Sequence, residues 1–147
     1  MRKLKNYKNT GAYLRELYDS LVENLHHCLA AEGYGEITPS HGLVFQYLSS
    51  DGSRITGLAS QARMTKQSMS ALIYQLEENG YLKRKPDPSD ARAVLFLLTP
   101  KGEDLKEKAQ GINYIFEKRW AETLGAKRYQ LLRTMLEELI VDKDKAR

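Results

Sequence analysis

The chain of 147 residues is long enough for one domain, and its 41% hydrophobic content is ordinary for a globular protein. No apolar run approaches the roughly 18 residues that a membrane-spanning helix needs, and no apolar stretch follows the basic N-terminus as it would in a signal peptide. One cysteine cannot form an internal disulfide, so we expect a cytoplasmic protein that has no membrane partner.

The formal net charge of +4 is concentrated in two segments of the chain. Residues 1–15 contain five cations and no acid, and residues 81–102 contain five cations against two acids, a net +3. Such clusters suit a polyanion, because cations that bind it release its condensed counterions. A role in solubility alone is the alternative interpretation of the same charges.

Two helices are predicted in the first third of the chain. Residues 10–32 carry apolar side chains at three- and four-residue steps, the period of a helix with one buried face, and Gly33 ends that pattern. Thr38 is a good N-cap and Pro39 suits the first helical position. A second helix is therefore expected from Pro39 to about Leu48.

A helix-turn-helix is predicted next. Thr56 is expected to cap a short helix over about 57–62, and Thr65 a longer one over about 66–79. Apolar residues of the longer helix fall at i, i+3, i+4 and i+7, which predicts a buried stripe formed by Met69, Leu72, Ile73 and Leu76. Gly80 is expected to supply the positive φ that ends this helix.

A basic β-hairpin follows the longer helix. Residues 81–84 and 94–98 are predicted as its strands. Pro86, Pro88 and Ser89 are expected to keep the loop between the strands out of regular pairing. Together these elements predict a mainly α protein with a small β wing, that is, a winged helix-turn-helix.

Two long helices complete the chain. Thr99 caps a helix predicted over about 100–124, Gly125 breaks it, and the last helix is predicted over about 127–141. In the 100–124 helix, one set of side chains is expected to point inward or toward a partner: Leu105, Ala109, Ile112, Phe116, Trp120 and Leu124. The end helices carry more apolar residues than a small winged domain needs to cover, so we expect them to pack against a second copy.

A helix that fits the major groove, followed by a cationic hairpin, is suited to hold double-stranded DNA. On the outer face of the 66–79 helix, Gln67 could read adenine, and Ser68 or Ser70 could reach a base or phosphate. The residues expected to contact DNA are Thr65, Lys66, Gln67, Ser68, Ser70, Tyr74, Lys83, Arg84 and Arg92. A plain surface helix with no ligand is the alternative interpretation.

Arg92 is predicted at the tip of the hairpin, where an arginine can enter the narrow minor groove. Asp90, two residues earlier, is placed to orient the guanidinium of Arg92 through a charge-assisted hydrogen bond. A surface ion pair of negligible stability is the alternative.

Several segments resemble the multiple-antibiotic-resistance regulator (MarR) family of winged-helix transcription factors. They are Thr38-Pro39-Ser40, Leu58-Ala59, residues 76–81 (LEENGY), Arg84, residues 87–92 (DPSDAR) and residues 98–102 (LTPKG). The hairpin motif followed by leucine-threonine-x-x-glycine is the most specific of them. The resemblance spans about 38–102, and the flanking helices fit the dimer layout of the family.

The resemblance implies a homodimer with interlocked end helices, which binds a near-palindromic operator and usually represses. It also implies release by a small, often aromatic effector, for which His41 and Tyr47 are expected to line a pocket. The chain 1–147 is then a single MarR-like domain, with a DNA-binding lobe over 36–100 and dimerisation helices over 8–34 and 101–143.

Other functions are weaker candidates. His26, His27, Cys28 and His41 invite a metal site, but adjacent His27 and Cys28 point about 100° apart on a helix, so we expect no metal and no cofactor. No resolving cysteine supports a redox role for Cys28. The chain has no Gly-rich phosphate loop and no catalytic triad, so we expect no enzyme. The rival class is a winged-helix protein-interaction module that binds an acidic partner.

Overall fold

The computed structural model describes residues 7–145, so Arg2, Lys3 and Lys5 of the basic N-terminal segment lie outside the described residues. The elements are α1 (Thr10–Ala31), α2 (Pro39–Tyr47), α3 (Ile55–Ala62), α4 (Lys66–Glu78), β1 (Leu82–Asp87), β2 (Asp90–Leu98), α5 (Pro100–Leu124) and α6 (Ala126–Lys145). The predicted class, mainly α with a small antiparallel wing, is confirmed. None of the helices within the described range is long and apolar enough to cross a membrane.

The chain divides into two compact units within α5, an N-terminal unit up to Gln110 and a C-terminal unit from Gly111. The core of the N-terminal unit is formed by α2, α3, α4 and the wing, with contributions from α1 and α5, and contains Leu29, Val44, Leu58, Met69, Ile73, Leu76, Tyr81, Phe96 and Leu105. In the C-terminal unit, the Tyr129 hydroxyl of α6 donates to the Glu117 carboxylate of α5 at 2.6 Å. The domain boundaries derived from the sequence stay predictions.

Helix α3 begins earlier than its sequence suggested. It starts at Ile55, with Arg54 rather than Thr56 at the N-cap position. Ser53 pairs with Phe96 of β2 through two backbone hydrogen bonds of 3.0 and 2.9 Å. This bridge holds the chain extended up to Arg54, so the helix can begin at the next residue. The partner lies 43 positions away in the sequence, and no local pattern reveals it.

The wing strands are longer than predicted. Pro86 lies inside β1 and pairs with Val94, and only Pro88 and Ser89 separate the two strands. Proline is tolerated there because β1 is an edge strand and need not donate a backbone hydrogen bond on its free side. The expectation that Pro86 keeps the loop unpaired is therefore wrong.

A bulge in β2 places Arg92. Asp87 pairs with Asp90 and Pro86 with Val94, so residues 91–93 have no partner on β1. Extra residues in one strand bend it and re-aim its side chains. Arg92 is consequently an exposed residue in the middle of a bulge beside the turn, rather than a residue of an irregular loop.

Helix α6 ends later than its apolar pattern indicated. That pattern stops near Val141, but the helix continues to Lys145. Lysines in the last turn favour this extension because they face the negative end of the helix dipole. The prediction ended too early since it followed only the apolar period.

The end of α4 and the start of α5 meet at Tyr81. Gly80 has a φ of +80° and ends α4, and the carbonyl oxygen of Tyr81 accepts the Thr99 N–H at 3.0 Å. Thr99 caps α5 as predicted, since its hydroxyl oxygen accepts the Gly102 N–H at 3.1 Å. A Cβ on Gly102 would lie 2.2 Å from the Tyr81 carbonyl oxygen. Only glycine permits this close approach of α5.

Gly102→Ala should therefore lower the free energy of unfolding, by about 1–3 kcal/mol, because the added methyl group forces the backbone at Tyr81 to shift. The matched control is Gly111→Ala in the same helix, where an added Cβ meets nothing within 4 Å. That control should leave stability unchanged or raise it by about 0.5–1 kcal/mol. Urea unfolding measures both, and equal stability of the two variants would contradict the packing at this junction.

Candidate nucleic-acid interface

Helix α4 presents an anchored inner face and an open outer face. The inner face consists of Met69, Ile73 and Leu76, each of which is at most 1% exposed. Lys66 and Gln67, in the first turn, are exposed, and neither side chain has a hydrogen-bond partner among the described residues. This first turn therefore offers an amide and an ammonium group to a ligand, close to the positive end of the helix dipole.

The hydroxyl groups of this turn are already engaged within the helix. Thr65 is the N-cap, and its side-chain oxygen accepts the Ser68 N–H at 3.1 Å, as predicted for a cap. The Thr65 hydroxyl donates to the Ser68 Oγ at 2.9 Å, and the Ser70 hydroxyl donates to the Lys66 carbonyl at 2.8 Å. Contacts of these three residues with DNA stay predictions, and each would require sharing or exchanging an internal hydrogen bond.

Arg84 joins the wing to α4. Its Nε and Nη2 donate to the two carboxylate oxygens of Glu77 at 2.6 and 2.5 Å. The guanidinium also lies 5.9 Å from the ring centre of Tyr74 and 5.5 Å from that of Phe96. This hydrogen bonding lowers the pKa of Glu77. Contacts of Arg84 and Tyr74 with DNA stay predictions, and each side chain already has an internal partner.

The two lysines of β1 lie on the face of the hairpin opposite to that of Arg84. Lys83 pairs with Leu97 and Lys85 with Leu95, whereas Arg84 pairs with Phe96. Since successive side chains of a strand alternate between faces, Lys83 and Lys85 point away from the face that contacts α4. The structure thus separates Lys83 from the outer residues of α4, and its contact with DNA stays a prediction.

Asp90 has a different role from the one expected. Its Oδ1 accepts the backbone N–H of Arg92 at 3.0 Å, and its Oδ2 lies 3.7 Å from Nη1 of Arg54. An aspartate readily bonds the backbone two residues on, as in an Asx turn. The expectation that Asp90 orients the Arg92 guanidinium is therefore wrong. Asp90 instead fixes the backbone of the bulge from which Arg92 projects.

Arg54 is a site residue that the sequence analysis missed. Its Nε and Nη2 donate to Oδ2 of Asp87 at 2.7 and 2.5 Å, and its Nη2 also donates weakly to the Ser89 hydroxyl at 3.5 Å. No local pattern could have found this contact, because Arg54 and Asp87 lie 33 positions apart. Their pairing fastens the turn of the wing to the N-terminus of α3.

The Asp87 carboxylate is held in its charged form. Its Oδ1 accepts the backbone N–H of Ser89 at 2.9 Å and the Ser89 hydroxyl at 2.8 Å, while Arg54 binds Oδ2. The Ser89 hydrogen bonds, followed by the Arg54 guanidinium, lower the pKa of Asp87 to about 2 from its ordinary 3.8. The stabilisation is present above the ordinary value and is lost as the pH falls through the lowered pKa.

Ser89→Ala should raise the pKa of Asp87 from about 2 toward its ordinary 3.8, because one hydrogen bond to the charged form is lost. Carbon-13 NMR titration of the carboxyl groups measures this shift. The internal control is Glu36, whose pKa is lowered by the Tyr81 hydroxyl and should not change. An unaltered titration of Asp87 would show that the serine does not hold its carboxylate.

Two of the histidines, His26 and His41, are engaged in hydrogen bonds within the fold. His41 is 5% exposed, and its Nδ1 accepts the backbone N–H of Thr38 at 3.0 Å. The neutral ring therefore carries its proton on Nε2, which donates to Oε1 of Gln75 in α4 at 2.9 Å. His26 donates from Nδ1 to the Ile37 carbonyl at 2.9 Å. An effector pocket lined by His41 and half-buried Tyr47 stays a prediction.

These residues define a winged helix-turn-helix whose wing is attached to the rest of the N-terminal unit by a backbone bridge at Ser53 and by ion pairs of Arg54 and Arg84. Residues 47–94 match the model of the MarR family. None of the curated proteins matches the chain. The transcriptional regulator Tm0710 of Thermotoga maritima is 27% identical, with 92% of this chain and 95% of that chain covered and a TM-score of 0.65.

Two further structures share the fold. The transcriptional repressor CouR, bound to a 23-mer DNA duplex, is 25% identical, with 90% of this chain and 92% of that chain covered and a TM-score of 0.69. NadR in complex with 4-hydroxyphenylacetate is 23% identical, with 95% and 97% covered and a TM-score of 0.70. The resemblance to the MarR family is confirmed, and the chain has the winged-helix fold of MarR-family transcriptional regulators.

Proposed function

We propose that the protein is a DNA-binding transcriptional regulator in which the first turn of α4 enters the major groove. The observation that carries this proposal is the pair of exposed, unengaged side chains, Lys66 and Gln67, on a helix whose opposite face is fully buried. A buried face fixes the helix, and an open first turn can approach base edges. The likeness to CouR, which is bound to a DNA duplex, supports the same function.

The chemistry of each group fits one part of a DNA site. The Gln67 amide has both a donor and an acceptor and can bind adenine N6 and N7 together. Lys66 supplies a cation for a phosphate beside the N-terminus of α4. Arg92, exposed in the wing bulge, suits the narrow minor groove, where negative potential is concentrated.

We further propose that the protein acts as a homodimer on a near-palindromic operator. One short recognition helix reads few bases, whereas two related by a two-fold axis read half-sites about 34 Å apart. Apolar side chains for an interface are exposed on α1, where Tyr13 is 53% and Tyr18 61% exposed, and separately on α6, where Leu139 is 64% exposed. Repression of transcription and release by a small aromatic effector complete the proposal.

The test compares binding of the purified protein to its own upstream DNA and to a scrambled duplex of equal length. Binding is measured by fluorescence anisotropy across a salt series. The proposal requires a sequence preference, two protomers per site, and an affinity that falls log-linearly with salt. Equal and weak binding to both duplexes would contradict it and would favour an acidic protein as the partner.

Arg92→Ala should weaken operator binding by about 1–3 kcal/mol, the cost of one good groove contact, and should leave the protomer count unchanged. The matched control is Arg128→Ala, which removes the same charge from an exposed position on α6. Anisotropy titrations at one salt concentration compare the variants. If both lose the same affinity, Arg92 contributes only to the general field of the protein.

A further inference from the structure

We propose that Arg54 is a positioning residue that fixes the wing turn and thereby holds Arg92 in place for DNA, without contacting DNA itself. This inference rests on the proposed function, because it concerns how the wing reaches its ligand. It assigns a role to a cation outside the recognition helix and outside the hairpin.

The guanidinium of Arg54 reaches three residues of the wing turn. It donates to the Asp87 carboxylate at 2.7 and 2.5 Å and approaches the Ser89 hydroxyl at 3.5 Å. It also lies 3.7 Å from the Asp90 carboxylate. These residues end β1, form the turn and begin β2, so one planar cation spans the whole reversal of the chain.

The main anchor of this contact is largely removed from water. Asp87 is 8% exposed, and its second oxygen is occupied by the backbone and hydroxyl groups of Ser89. Within the described part of the chain, Arg54 is the cation that pairs with this carboxylate. A mostly buried carboxylate that loses its cation is left uncompensated, so loss of Arg54 should loosen the turn.

Asp90 carries the effect of Arg54 to Arg92. One oxygen of the Asp90 carboxylate faces Arg54, and the other accepts the backbone N–H of Arg92 at 3.0 Å. Residues 91–93 have no partner on β1, so strand pairing does not hold the backbone of Arg92. The Asp90 side chain takes the place of that missing pairing, and Arg54 helps to hold Asp90.

The position of Arg54 in the chain explains why it can act as a clamp. The preceding residue, Ser53, is bonded to Phe96 in the middle of β2. That bridge and the Arg84–Glu77 ion pair hold the strands, but neither reaches the turn. The contact made by Arg54 holds the turn itself and ties it to the start of α3.

A direct phosphate contact is the competing role for Arg54, whose side chain is 40% exposed. Asp87→Asn separates the two roles by the sign of its effect. Removing a negative charge from a DNA-binding surface, and freeing a cation to meet phosphate, should strengthen binding. If Arg54 acts as a clamp, the same substitution loosens the turn and weakens binding.

The experiment combines amide exchange with a double-mutant cycle. Hydrogen exchange of the Arg92 amide, measured by NMR without DNA, should be faster in Arg54→Gln than in wild type, while Arg54→Lys should restore part of the protection. Operator affinity is then compared for wild type, Arg54→Gln, Arg92→Ala and the double variant, at a temperature where melting curves show every variant folded.

The clamp predicts a loss of roughly 5-fold or more for Arg54→Gln, and a cost of Arg92→Ala that is much smaller in the Arg54→Gln background. The double variant should have the salt slope of Arg92→Ala. The clamp would be overturned if the affinity losses of Arg54→Gln and Arg92→Ala were additive, or if the salt slope of the double variant fell by about a further 0.9 below that of Arg92→Ala. Tighter DNA binding by Asp87→Asn, or unchanged exchange of the Arg92 amide in Arg54→Gln, would also overturn it. If the wild type showed no preference for its operator, the proposed function would be overturned instead. The exchange measurement is made without DNA, so it tests the clamp independently of that function.

Discussion

The contact between Tyr81 and Gly102 is the constraint on which the N-terminal unit depends. Tyr81 is 1% exposed, and its hydroxyl donates to Glu36. Its carbonyl oxygen accepts the Thr99 N–H and lies against Gly102. Four elements meet at this residue: the end of α4, the start of β1, the end of β2 and the first turn of α5. A recognition helix and a wing can bind one duplex together only if their relation is fixed, and this junction fixes it at the base of the wing.

Charge in the wing serves structure as well as ligand binding. Arg84 is paired with Glu77, and Lys101 donates to the Asn79 carbonyl at 2.7 Å and lies over the ring of Tyr81. Arg54, which lies outside the hairpin, holds Asp87. The cations of residues 81–102 therefore overstate the charge that is free to meet DNA. Because these pairs are internal, we expect the proposed contact of Arg92 with DNA to depend on where Arg92 is held more than on the net charge of the wing.

Local patterns predicted the helices well, and contacts between distant segments account for part of what was missed. The bounds of α1, α2, α4 and α5 followed from apolar period, caps and terminating glycines, all of which act within a few residues. The start of α3 and the pairing of Asp90 with Arg54 depend on residues more than 30 positions away. The length of the strands depends on pairing across the hairpin, as between Pro86 and Val94. Of the candidate site, periodicity correctly placed the outer residues of α4, but it could not show that Arg84 has an internal partner or that Arg54 matters.

The most direct test of the account is a structure of the protein bound to its upstream DNA. We expect the first turn of α4 to lie in the major groove, with the Gln67 amide within hydrogen-bond distance of a base edge, and Arg92 to lie in the adjacent minor groove. A complex in which α4 faces solvent, or in which another surface carries the DNA, would contradict it.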